Sequence, residues 1–383
     1  MKIDDKTSHN SPSLRFPEFT GEWEYFSIND VCSEFKSGKN IKADLISSNG
    51  NFPVYGGNGL RGYTSSYNHD GLYVLIGRQG ALCGNVRSVF GKIYITEHAI
   101  AVAGNEKSDT NFLHYLFLKM NLGQYSDQSA QPGLAVNKLL KLKVLLPSIS
   151  EQIKIAKLLS LLDERIAVQN RLIEDLKKFK CAIVENVLNN RHPRMIRLGD
   201  IGSYIRGLTY SSNDVVEQNG TFIMRSNNIV NGCSLDYYND VVSVNKRISK
   251  EQMLQNGDII ICMANGCSAL VGKSSFYDGK CPRSITVGAF CGIYRSEEPI
   301  VKWLFQTNRY RRYIWNSLQG GNGAIANLNG EDILRMSFPI PDAPVKNNCV
   351  KLLTSVDFMI ENATSLCVLY TSQKEYLLRQ MFI

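Results

Sequence analysis

Two stretches of this chain lack proline and glycine, and those gaps shape the rest of the reading. Residues 151–188 and 346–383 contain neither, so nothing in them breaks a helix. Other scarcities narrow the function. No apolar run reaches bilayer-spanning length, and MKIDDKTSHN at the start has no apolar signal core, so a cytoplasmic protein is expected. The ten cysteines are scattered without any CxxC spacing. Cys181, Cys262 and Cys367 sit in apolar patterns, which reads as reduced, buried thiols and not as a disulfide framework or zinc site. There is no NPPY-type methyltransferase signature and no glycine-rich methyl-donor loop. GCSALVGKS (266–274) has five residues between its glycines where a phosphate loop needs four. Pro341-Asp342 lacks the acid-x-Lys pair of a nuclease. Thr96-Glu97-His98 reads as strand, whose neighbours face opposite ways and cannot act as one acid–base pair. His114 reads as structural. The composition predicts no catalytic, metal or cofactor residues in this chain.

What is present is a repeat. From Ile155, steps of four and three give Leu159, Leu162, Ile166, Gln169, Ile173, Leu176, Lys180, Ile183 and Val187. That 3.5-residue period is a coiled-coil seam, on a rod of roughly 57 Å at 1.5 Å per residue. A rod with one oily stripe needs a partner. Shifting the seam by 194 residues lands it on Cys349, Leu353, Val356, Ile360, Ala363, Cys367, Tyr370, Lys374, Leu377 and Met381 without a gap. Asp163 then falls on Asp357 and Lys180 on Lys374. Gln169, set against the Ala363 region, reads either as a polar seam group that fixes register or as a wet position where the rods splay; the two lysines read as wet, since like charges would repel if close.

Before each rod lies a mixed block. The polar start, 1–13, reads as a leader. Pro17 and Gly21 bar a helix in LRFPEFTGEWEYFSINDV (14–31). Residues 52–55, 72–76, 93–95, 100–102 and 138–146 read as strands and 111–120 as a helix. The second block repeats the scaffold: MIRLGDIGSYIRG (195–207) matches FSINDVCSEFKSG (26–38), with Asp200 over Asp30. NGTFIMRSNNIVNG (219–232) takes the place of NGNFPVYGGNGLRG (49–62). PIVKWLFQTN matches NFLHYLFLKM and sets Trp303 over Tyr115. The expected fold is therefore α/β (α+β), a pseudo-two-fold internal repeat. Its expected parts are a leader (1–13), a first domain (14–150), a long helix (151–190), a second domain (191–345) and a second long helix (346–383).

LRFPEFTGEW, GRQGALCGNV, VLLPSISEQ and LLSLLDERI in the first half, with GDIIICMANG, NGEDILRMSFPIP and KEYLLRQMF in the second, resemble the specificity subunit of type I restriction–modification systems. The match covers nearly the whole chain, and the order of the motifs carries it. The resemblance implies two homologous target-recognition domains, each reading half of a split double-stranded DNA target. It further implies an antiparallel coiled coil that sets the spacing and docks methylation subunits, two of them. Restriction subunits would join through these, and S-adenosylmethionine, ATP and magnesium would belong to the partners. The second copy departs at DAPVKN, where the first has SISEQ, so its helix is expected to start differently.

The charge balance of +8 permits a polyanion partner. DNA readers need cations for phosphates and forked or amide side chains for base edges. The loop tips offer Lys36, Lys39, Arg61, Arg78, Gln79 and Arg87 in the first block. The second offers Arg206, Arg225, Asn227, Asn228, Asn265, Lys273 and Arg283. Arg78 with Gln79, and Arg225 with Asn227 and Asn228, follow directly after apolar strands and are the sharpest candidates. For any single residue, an ordinary solvated loop position is an equal reading. The competing function is an adaptor whose paired domains bind proteins; steep weakening by salt separates DNA binding from it. A standalone nuclease would require metal-dependent cleavage by the chain itself.

Overall fold

The structure, a computed structural model, describes residues 10–126, 132–188, 194–318 and 326–383. Residues 1–9 of the expected leader, residues 189–190 of the expected first long helix and the side chain of Val187 lie outside this description. The chain divides into two compact units, 1–171 with 364–383, and 172–363. Each unit holds one mixed block and one half of each long helix.

In the first unit, strands β1 (Glu24–Ser27), β2 (Cys32–Ser37), β3 (Phe52–Gly56), β4 (Gly59–Thr64), β5 (His69–Gly77), β6 (Val86–Ile95), β7 (Ala99–Gly104) and β8 (Lys143–Leu146) alternate with short loops. Six of them form one sheet, in the order β2-β7-β5-β6-β3-β4. β1 and β8 pair separately. The expected strand over 138–146 is corrected: Val136–Leu139 is a helical turn, and only Lys143–Leu146 is extended. Helix Thr110–Met120 buries Phe112, Leu113, Leu116 and Phe117 against the sheet and is capped by Asp109, which accepts from Phe112 N at 2.8 Å. Trp23 and Phe382 close this core around Phe112. Asn10 O accepts from Trp23 N at 2.8 Å, which ties down the described end of the leader.

The second unit repeats this plan with one break. Its strands are β9 (Arg194–Arg197), β10 (Ser203–Arg206), β11 (Val215–Val216), β12 (Thr221–Met224), β13 (Val242–Val244), β14 (Ile259–Cys262), β15 (Ala264–Asn265), β16 (Ser274–Phe276), β17 (Ile285–Val287), β18 (Cys291–Arg295), β19 (Ala326–Asn327) and β20 (Ser337–Ile340). β9 pairs with β20 as β1 does with β8. Asp200 and Asp30 each accept the backbone N–H three residues earlier, at Arg197 and Ser27. The ten-residue strand β6 has no single counterpart. Residues 277–284, with Gly279 at φ +74° and Pro282, split it into β16 and β17. One six-stranded sheet thereby becomes two four-stranded ones, β10-β18-β14-β16 and β11-β13-β12-β17.

The long helices run Ile149–Leu188 and Ala343–Gln380. Within the first unit Asp163 meets Lys374, Arg165 meets Tyr370 and Asn170 meets Cys367; numbers rise on one helix as they fall on the other, so the pair is antiparallel. Seam positions Leu159, Leu162, Leu377 and Met381 are buried there, while Ile166 and Tyr370 are half-buried. In the second unit Leu176, Leu353, Val356 and Ile360 are buried, and Ile173 and Ile183 are half-buried beside them. The second helix also corrects the expectation about apolar length. An 18-residue window of it reaches a mean hydropathy of 1.3, enough by length and composition to cross a bilayer. Of that window 28% is buried within the protein, including Leu353, Val356, Ile360 and Ala363.

The wet reading of the lysines is corrected too. Lys180 is 7% exposed and donates to Asp357 Oδ1 at 3.0 Å. Lys374 donates to Asp163 Oδ1 at 2.5 Å. The repeat puts lysine over lysine, and the antiparallel register turns that into lysine against aspartate, twice. Each aspartate also accepts from the block's helix: Tyr115 Oη donates to Asp163 at 2.9 Å, and Trp303 Nε1 to Asp357 at 3.0 Å. These are the two aromatics that the repeat superposes. Gln169, expected opposite Ala363, precedes Asn170 beside Cys367, and its Oε1 is buried without a partner among the described residues.

The helix starts differ as expected. Glu151 is buried and holds Arg15 through both oxygens, at 2.7 and 2.8 Å. Gln152 is fully buried; it accepts from Asp109 N at 2.9 Å and donates to Lys107 O and Pro147 O at 3.0 and 2.9 Å. Where the second copy has Lys346, its ammonium meets Glu298 at 2.7 Å.

Candidate nucleic-acid interface

Four loops meet at one node in the first unit, and backbone hydrogen bonds hold them. Gly38 N donates to Ala99 O, Lys39 N to Ile95 O, Thr96 N to Tyr55 O and Arg78 N to His98 O, at 3.0, 3.0, 2.9 and 2.9 Å. The second unit makes the same four bonds: Gly207 N to Cys291 O, Leu208 N to Val287 O, Gly288 N to Met224 O and Met263 N to Phe290 O, at 3.2, 2.8, 2.9 and 2.8 Å. A fifth pair, Leu134 N to Arg78 O and Leu328 N to Met263 O, completes the equivalence. Glycine is required where backbones cross. A Cβ on Gly38 would lie 2.2 Å from Ile95 O, and one on Gly207 2.1 Å from Gly288 O.

The first node carries cations. Lys39 and Arg61 are exposed, Arg78 half-buried, and the Arg87 guanidinium lies over Gly59. The Arg61 stem packs at Gly56. Gln79 Oε1 lies 3.1 Å from His98 Nδ1, and His98 Nε2 lies 3.2 Å from Glu97. Thr96–His98 is a turn and not the expected strand, so the Glu97 and His98 side chains do meet. Lys36 is exposed on β2 and paired with Glu34 at 3.2 Å.

The second node is built from other chemistry. At the places of Lys39, Arg78 and His98 stand Leu208, Met263 and Phe290. A cleft of about 460 Å³ opens between Tyr210, Arg225, Asn227 and Phe290, the last 66% exposed. Asn265 donates to Ser226 Oγ at 3.4 Å beside it, and Arg206 is exposed at the end of β10, one residue before the node. The three sharp candidates of this loop separate here. Arg225 and Asn227 reach the surface, whereas Asn228 is 1% exposed with its amide spent on Arg225 N and Asn239 O at 2.9 and 2.8 Å. Asn228 holds the loop and cannot meet a base edge. Arg283 lies before β17 and stacks on Phe222 at 4.9 Å, at the opposite end of the parallel strands β12 and β17 from Arg225. Lys273 lines a separate cleft with Arg311 and Trp315. Neither belongs to the node.

Sequence reasoning missed His98, Tyr210, Phe290 and Asp240. The repeat held the signal for Phe290, because it lies at the place of His98 in the Ala99–Cys291 alignment. Asp240 had none, since it stands in a 17-residue loop (225–241) where the first unit has two residues between β3 and β4.

Comparison with known proteins bears on this node. A family model described as type I restriction modification DNA specificity domain matches residues 20–178. The EcoprrI type I restriction enzyme specificity subunit of Escherichia coli is 40% identical over 180 residues, covering 46% of this chain and 44% of that subunit. The chain therefore aligns with less than half the length of that relative. The putative type I specificity subunit S.HindORF215P of Haemophilus influenzae is 22% identical over 377 residues, 93% of both chains. Among solved structures, the S subunit of a type I restriction–modification system from M. genitalium superposes with a TM-score of 0.71 at 16% identity, over 97% of this chain and 99% of that one. At that identity the likeness speaks for the fold.

Proposed function

We propose that the chain belongs to the type I restriction–modification specificity family and is the non-catalytic, sequence-specific DNA-binding subunit of such a complex. Each unit reads one half of a bipartite duplex target. The observation that carries this is the node itself. One backbone framework is built twice and filled with different donors and acceptors, as two readers of two different sequences require. Exposed cations in the first unit supply phosphate contacts, and the amides of the second supply base-edge contacts. The further expectations join the proposal: two methylation subunits docked on the helices, restriction subunits through them, and a cytoplasmic setting. Methyl transfer with S-adenosylmethionine, and cleavage with ATP and magnesium, fall to those partners.

The test is DNA pull-down and sequencing from a random duplex library, with the chain co-expressed with its methylation subunit. Two short motifs at a fixed spacing are expected, and exchanging residues 23–150 for those of a relative changes one motif only. No enrichment by the intact complex overturns the reading.

A further inference from the structure

The long loop of the second unit does more than hold Arg225 in place. We propose that Asp240 is a specificity-determining positioning residue for that unit's half-site. The inference rests on the DNA-recognition reading above.

Asp240 sits in the left-handed region at φ +48°, which places its carboxylate across the 225–228 turn. Arg225 Nη2 donates to Asp240 Oδ1 at 2.9 Å and to Asp240 O at 3.0 Å. Asn227 Nδ2 donates to the other carboxylate oxygen, Oδ2. One aspartate thus takes both candidate readers. It is itself fixed by a second turn. The Asp236 carboxylate accepts from Tyr238 N and Asn239 N at 3.1 and 3.2 Å and from Asn239 Nδ2 at 2.9 Å. The buried amide of Asn228 joins the turns, accepting from Arg225 N and donating to Asn239 O. Asp236 N returns a bond to Asn228 O at 3.0 Å.

Two consequences follow for DNA. A free arginine at a protein surface attracts any phosphate, whatever the sequence. The Asp240 carboxylate cancels that charge, so Arg225 adds little to sequence-independent attraction. With Nδ2 committed, Asn227 presents its carbonyl oxygen, an acceptor for an exocyclic amine of adenine or cytosine. Asp240 thereby trades general affinity for direction at the mouth of the Tyr210–Phe290 cleft.

The experiment uses the full chain with its methylation subunit, as wild type and as Asp240→Asn, Asp240→Ala and Asp240→Glu, on the same random duplex library. Asparagine tolerates the left-handed backbone, so Asp240→Asn removes charge with the least strain. The expected result is confined to one half-site. The first unit's motif is unchanged, which reports that the chain is folded. The second unit's motif degrades, with specific over non-specific affinity falling about tenfold. Non-specific affinity rises, and the log–log salt slope steepens by about one as Arg225 becomes free to meet a phosphate. Asp240→Glu recovers part of the discrimination. A second motif and salt slope unchanged in Asp240→Asn and Asp240→Ala overturn the inference, as does equal degradation of both motifs. If the wild-type complex itself enriches no motif, the DNA-recognition reading has failed and takes the inference with it.

Discussion

The first unit gathers Lys39, Arg61, Arg78 and Arg87 at its node, whereas the second offers Leu208, Met263, Tyr210 and Phe290 with one arginine paired to Asp240. The backbone bonds are the same in both. The framework is therefore separable from what it displays. Its bonds run between main-chain atoms and need only glycine where strands cross closely, so side chains at the tips are free to differ. The units also differ in how they hold their helices. Asp357 is nearly enclosed and serves Lys180, Lys302 and Trp303, with 10% of its side chain exposed. Asp163 is 39% exposed and serves Lys374 and Tyr115.

That contrast can be broken deliberately. Asp357→Ala strands the enclosed Lys180 and is expected to destabilise the second unit by about 3–5 kcal/mol. Asp163→Ala, whose pair is the more exposed of the two, is expected to cost the first unit about 1 kcal/mol or less. Denaturant unfolding combined with hydrogen exchange, which reports each unit separately, measures both; equal costs would show the two clamps to be interchangeable. The helix starts give the next largest difference. Gln152→Ala leaves Asp109 N and two carbonyls without their buried partner, a loss of about 1–3 kcal/mol. Lys346→Ala at the matching position removes one accessible ion pair and about 1 kcal/mol at most.

Salt sharpens the comparison at the nodes. Each phosphate contact contributes about 0.9 to the salt slope, so replacing Lys39, Arg61 and Arg87 by alanine together is expected to flatten it by up to about 2.7. Arg225→Ala is expected to change it little. Titration of DNA binding over a range of salt concentrations decides, and a large change with Arg225→Ala would mean that Asp240 does not neutralise it. A further difference concerns pH. Burial, with Lys374 nearby, holds the His114 imidazole down at about 4, while in the unfolded chain it takes up a proton near 6.5. Between those values the unfolded state binds the proton and the folded state does not. The first unit is therefore expected to lose stability as pH falls from about 6.5 to about 4. At the repeat-equivalent position the second unit carries Lys302, and no imidazole is there to titrate. His114→Gln should reduce the first unit's slope in hydrogen exchange across this range; an unchanged slope would assign it elsewhere.

Much of the scaffold was legible because it repeats. The seam was readable from spacing alone, since a 3.5-residue period leaves few alternatives for a run without proline or glycine. The matched strands and the aligned Tyr115 and Trp303 were readable too. The candidate readers were legible only as a pool. Arg225 and Asn228 lie three residues apart in one loop, yet one reaches the surface and the other is sealed under it, because the buried amide must satisfy the backbone of two turns. Arg283 read as a tip residue because a parallel pairing cannot be inferred from the strand's own residues. Its neighbour Phe222 shows which end it occupies.

Sequence by itself determined the duplicated plan, the two unbroken helices and their apolar stripe, since local periodicity and the absence of helix breakers suffice for these. Tertiary structure alone decided the partners. Whether Lys180 is wet or buried against Asp357, whether one strand runs ten residues or splits in two, and whether Arg225 stands free or is held by Asp240 all depend on residues far apart in the chain. No local pattern encodes which of them the fold will bring together.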